Sequence, residues 1–131
     1  MGITVAHWNC RGLRDKTLLR TMDFESFDVL CVQETLLKKH TNLLCRGFVG
    51  IRRDIDSAGD SGVCILVKSN LDFININLDN VSHPSLKIQG ITINARDKLI
   101  LIINLYRHPQ QTTPVSTWER FLDCAKRFPI W

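Results

Sequence analysis

DVLCVQE, residues 28–34, sets Val29, Leu30, Cys31 and Val32 side by side with no polar residue among them. A strand with one wet face alternates apolar and polar side chains. An unbroken apolar run of strand length therefore predicts a strand covered on both faces, as in a sheet layered between other elements. Upstream, the β-branched Ile3–Ala6 leads to Trp8 and predicts another strand over 3–8. Between the two, Leu13, Leu18, Leu19 and Met22 recur at helical spacing among Arg and Lys, predicting a helix from about Leu13 to Phe24 that DFESFD closes. Strand, helix, strand makes a βαβ unit.

Downstream the pattern turns β-rich. After GFVGIRR (47–53) come GVCILVK (62–68), LDFININL (71–78), LKIQGITIN (86–94) and KLILIINLY (98–106), divided by the turn-type segments SN, DNVSHPS and ARD. Residues 55–62, IDSAGDSG, and the HPQQTTP stretch are loops, and Pro114 opens a last helix from about Val115 to Arg127. The expected architecture is α/β, a meander of sequential strands in one mixed sheet with flanking helices, in one domain over 1–131.

With 131 residues, 44% of them hydrophobic and 23% charged, the composition is that of an ordinary globular domain. A net charge of +4 favours an anionic partner slightly but falls far short of a dedicated nucleic-acid tail. Cysteines 10, 31, 45, 64 and 124 form no C-x-x-C pair and lie mostly in apolar runs, which fits buried thiols rather than zinc or a disulfide framework. No segment reaches the ~18 apolar residues of a membrane span, and an intracellular location, nuclear or cytoplasmic, is expected with no membrane partner.

Three polar residues end apolar strands: Asn9, Glu34 and Tyr106. Each alone has an ordinary explanation, Asn9 as a turn former, Glu34 as a solvated carboxylate and Tyr106 as a half-buried aromatic. If their strands are neighbours in one sheet, the three gather along one edge, where loops form a ligand cleft.

Together, ITVAHWNCRGL, FDVLCVQET, SGVCILVK and LILIINLYRHP resemble the endonuclease/exonuclease/phosphatase (deoxyribonuclease I-like) superfamily in order and spacing, up to about Pro109. WNCRGL, QET and NLYRHP are most similar to the apurinic-like endonucleases of non-LTR (LINE-type) retrotransposons. The resemblance implies a two-sheet sandwich of which this chain is the N-terminal half, and a metal-dependent enzyme that nicks DNA. It implies Glu34 as the carboxylate for Mg²⁺ or Mn²⁺ in a completed site, Asn9 and Tyr106 as catalytic groups near the scissile phosphate, and Arg107 as a substrate-binding charge. His108, where the family often has proline, is read as a loop residue rather than a catalytic base.

The family's G-D-F-N segment, and the later Asp and Ser-Asp-His groups, are not among these 131 residues. The 115–127 helix resembles the one before the G-D-F-N strand, and FPIW the start of that strand. The expectation is a half-domain, inactive by itself, whose single sheet exposes an apolar face and either pairs with a C-terminal half or self-associates. Two alternatives stand beside it. One is a non-catalytic remnant binding nucleic acid through Arg11, Arg14, Lys38, Lys39, Arg52 and Arg53, or a protein through its sheet, although such charge runs are more often simply solvated faces. The other is a lipid or inositol phosphatase or phosphodiesterase of the same superfamily.

Overall fold

A computed structural model describes residues 2–13, 26–39, 41–43, 45–54 and 61–127. Beyond Leu13, the helix expected over 13–24 lies outside the described residues, as do Arg14, most of the 55–62 loop and the FPIW segment. The elements are β1 (Val5–Asn9), β2 (Val29–Gln33), β3 (Phe48–Arg53), β4 (Val63–Lys68), β5 (Phe73–Ile76), a 3₁₀ turn at Asp79–Val81, β6 (Leu86–Ala95), β7 (Lys98–Arg107) and helix α1 (Val115–Lys126). Every strand predicted from the apolar runs is present within a few residues of its expected ends.

The strands do not share one sheet. Four of them form a mixed sheet in the order β1-β2-β4-β3, and three an antiparallel sheet in the order β5-β6-β7. Edge occupancy explains the break in the expected meander. Strand β4 pairs with β2 along one side and with β3 along the other, so β5 finds no free edge there and begins a new sheet on β6. The chain accordingly divides into two compact units, Met1–Asn70 and Leu71–Trp131.

In the first unit β1 and β2 run parallel, with Asn9 opposite Gln33. Strand β2 is buried along its whole length, as its unbroken apolar run predicts, and β4 is buried from Val63 to Val67. The expected open apolar sheet face is thus corrected by the burial of the two central strands. One side of this sheet carries Leu30, Val32, Cys64 and Leu66 into a core with Leu13, Phe27 and Leu37, against which Ala6, Trp8 and Phe48 pack.

In the second unit β6 and β7 pair over ten residues, from Leu86 opposite Arg107 to Ala95 opposite Lys98. They are joined through Arg96 and Asp97, both at positive φ (49° and 66°), the combination of a two-residue hairpin turn whose twist matches the strands. One sheet face supplies Ile88, Ile103 and Leu105 to a core with Leu78, Val81, Phe121 and Cys124 from the 3₁₀ turn and α1. Pro114 caps α1, its carbonyl accepting the Thr117 N–H at 3.1 Å. All five cysteines are free; Cys31, Cys64 and Cys124 are buried and Cys10 and Cys45 partly so. Among the described residues no helix is long and apolar enough to cross a membrane.

Candidate active site

The C-terminal ends of two adjacent parallel strands converge at Asn9 and Glu34. Asn9 is the last residue of β1, and Glu34 directly follows Gln33, the last residue of β2. Backbone hydrogen bonds stitch the two loops that leave these strands. Cys10 N–H donates to the Gln33 carbonyl (3.1 Å) and Leu13 N–H to the Thr35 carbonyl (2.8 Å). From the other side, Thr35 N–H donates to the Gly62 carbonyl (3.2 Å) and Leu36 N–H to the Ser61 carbonyl (2.8 Å). Residues 34–36 are therefore clamped between the loop after β1 and the loop before β4.

The clamp holds the backbone in conformations that side chains disfavour. Glu34 and Leu36 both have φ of 54°, flanking Thr35, which has no solvent exposure. Such left-handed residues cost about 1–3 kcal/mol each, persist only where their surroundings over-determine them, and cluster at functional sites. Gly62 is part of the cause. It has φ of 77°, and a Cβ there would lie 2.6 Å from the Thr35 hydroxyl oxygen and 3.3 Å from the Arg53 carbonyl oxygen. Only a glycine lets the two loops approach this closely.

Glu34 is half-buried and Asn9 exposed. The part-buried Cys10 thiol follows Asn9, its Sγ 3.5 Å from the backbone carbonyl oxygens of both Gln33 and Glu34. Burial pushes that thiol above its ordinary value, hydrogen bonds from the backbone partly offset this, and the Glu34 charge adds to the rise. Cys10 is thereby held as a neutral thiol. No cluster of three or more His, Cys, Asp or Glu side chains suited to a metal exists among the described residues. Glu34 and the Asn9 amide nonetheless supply hard oxygen donors at adjacent strand ends. That suits an ion such as Mg²⁺, which keeps several waters and takes only one or two carboxylates from the protein.

Tyr106 does not end a strand of this sheet. It is the penultimate residue of β7, in the second unit, so the single-sheet edge expected for all three residues is corrected to a pair, Asn9 and Glu34, with Tyr106 belonging to the other sheet. Tyr106 stands directly opposite Lys87 on β6, and the next pair along, Gln89 and Asn104, is joined by an Asn104 Nδ2 to Gln89 Oε1 hydrogen bond of 2.9 Å. Lys87, Gln89 and Asn104 are buried, so one end of this face is polar while Ile91 opposite Ile102 makes its middle apolar. Sequence inspection passed over these three residues. The signal was present in LKIQG and NLY, where polar side chains recur at alternate positions and so share a face. His108 packs its ring edge-on against Tyr106, with centroids 5.3 Å apart and planes at 85°, while its N–H donates to the Ser85 carbonyl at 2.8 Å.

Arg107, next to Tyr106 on the strand, points to the opposite face, the one that carries Leu105 toward α1. There its guanidinium donates to the Gln111 carbonyl at 3.1 Å. Of the other basic residues, Arg52 is paired with Asp54 at 2.9 Å and also donates to the Lys38 carbonyl. Arg11, Lys38, Lys39 and Arg53 are exposed.

No family model and no curated protein matches the sequence. Among solved structures the chain is similar to the endonuclease domain of TRAS1, a telomere-specific non-LTR retrotransposon, with a TM-score of 0.65 at 18% identity. The match covers 95% of this chain and 54% of that one, so the chain spans about half the length of the domain it resembles. The chain therefore shares its α/β fold, with one mixed and one antiparallel sheet, with a retrotransposon endonuclease domain.

Proposed function

We propose that these residues are the N-terminal portion of a metal-dependent DNA endonuclease of retrotransposon type. The observation that carries this reading is the strained, clamped placement of Glu34 beside Asn9 at the ends of two parallel strands, in a fold shared with such an endonuclease domain. Glu34 and Asn9 would hold Mg²⁺ or Mn²⁺, which when bound neutralises charge on a phosphodiester and orients water. The clamp fixes the backbone that carries the carboxylate, which limits the reorganisation that accompanies reaction. Asn9 offers amide N–H donors to a phosphate oxygen without adding negative charge beside an anionic substrate. Tyr106, on the other sheet, offers a hydroxyl from a ring that the His108 ring steadies.

The test is a chimera in which the C-terminal half of a retrotransposon endonuclease domain follows Trp131, assayed for nicking of supercoiled plasmid in Mg²⁺. The chimera should nick, whereas the 131 residues alone should not exceed a mock preparation. Glu34→Ala should reduce nicking by more than the roughly 10–100-fold typical of losing an outer-shell partner. Asn9→Ala and Tyr106→Phe should lower turnover with little change in DNA affinity, and His108→Ala should have the smallest effect of the four. A chimera that melts cooperatively yet leaves plasmid supercoiled in both Mg²⁺ and Mn²⁺ would overturn the proposal.

A further inference from the structure

On the α1 side of β7, Arg107, Pro109, Gln110, Gln111, Thr113 and Trp118 border an open cleft of about 360 Å³, within the size range of small-ligand sites. Its walls are fixed. Arg107 Nη1 donates to the Gln111 carbonyl (3.1 Å), Gln111 N–H to the His108 carbonyl (3.2 Å), and His108 N–H to the Ser85 carbonyl (2.8 Å). The Thr113 hydroxyl meets the Ser85 hydroxyl, and fully buried Ser85 also hydrogen-bonds His83 Nδ1.

Its chemistry is selective. The lining carries one cation and no carboxylate. The Trp118 indole is braced edge-on by Phe121, with centroids 6.4 Å apart and planes at 82°. A guanidinium has five N–H donors, of which the Gln111 carbonyl engages one, and its planar fork matches a phosphate. An indole face suits stacking by a flat ring, and glutamine amides can both donate to and accept from a base edge. Inorganic phosphate would leave the indole unused, and an aliphatic acid would leave the amides and the ring face without complement.

We infer that this cleft holds one unstacked nucleotide of a DNA strand, its base against Trp118 and its phosphate on Arg107. The identity of the strand as DNA rests on the endonuclease reading above. Because Arg107 adjoins Tyr106 on β7 but points to the other face, a strand whose phosphate meets Tyr106 passes over the end of β7, and the neighbouring nucleotide drops into the cleft. Arg107 thus serves a flanking nucleotide rather than the scissile phosphate.

The experiment uses the 131-residue chain in EDTA with a fluorescein-labelled thymidine octamer, read by anisotropy over a series of salt concentrations. Trp118→Leu and Arg107→Ala should each weaken binding by about tenfold, and Trp118→Phe, which keeps a ring, should restore most of the loss. Arg107→Ala should also reduce the salt dependence by about one phosphate contact, whereas Trp118→Leu should leave the slope unchanged. In ¹H–¹⁵N spectra the indole N–H signal missing from Trp118→Phe should be the one that shifts on adding octamer. No binding by the wild-type chain overturns the inference. So does binding indifferent to Trp118→Leu, or a fully paired duplex that binds as tightly as the single strand. No cleavage is needed, so a completed domain that fails to nick leaves this result standing, and an active one does not rescue it.

Discussion

Glu34 shows how much a single residue can conceal. Its identity stood out in the sequence because a carboxylate directly after an apolar strand breaks the pattern, and Asn9 stood out likewise. The reason for its geometry did not, since Thr35 and Gly62 meet only through folding. A positive φ also leaves no mark on a sequence unless a glycine occupies the position, and here it does not. If the clamp imposes strain, removing the side chain should relieve it. Glu34→Gly is expected to raise stability in urea unfolding, because relief of about 1–3 kcal/mol of left-handed strain exceeds the roughly 0.4–1 kcal/mol of extra unfolded-chain entropy that a glycine brings. The same variant in the chimera should lose nicking. A destabilised Glu34→Gly would mean that the carboxylate's own contacts outweigh the backbone strain.

Individual strands were legible because long β-branched runs between turn residues leave little alternative, and the 98–107 and 86–95 pairing matches its reading almost to the residue. Their partition into two sheets was not legible, because it depends on which edges β4 has left, a property of neighbours rather than of any segment. The buried polar pair on β6 and β7 belongs to this scale. Asn104→Leu removes the buried N–H that donates to Gln89 Oε1 and should cost about 1–3 kcal/mol, the range for breaking a buried hydrogen bond. Adding Gln89→Leu should recover much of that loss, since two apolar side chains then face each other across the strands. A double-mutant cycle by urea denaturation checks this, and additive losses would show that the 2.9 Å hydrogen bond is not what links the two positions.

Over the whole molecule, the structural likeness extends across 95% of the chain, and the helix after Pro109 was readable in the sequence because Pro114 marks its start. Stability should fall in alkali. Burial pushes Cys31 up to about 11 and Cys64 up to about 12, from an ordinary 9.0. The folded chain therefore holds these protons more tightly than the unfolded one. Their contribution is fully present below about pH 9 and is lost as pH rises through the folded values. Urea midpoints at about pH 8 and about pH 10.5 should show wild type losing more stability than Cys64→Ala; equal losses would assign the alkaline effect to other groups. Both of these thiols lie in the first unit and Tyr106, the chain's one tyrosine, in the second. The molecule is thus already colour-coded. Phenol absorbance reports on one unit alone, a thiol-reactive dye chiefly on the other, and two wavelengths in one cuvette tell which of them opens first.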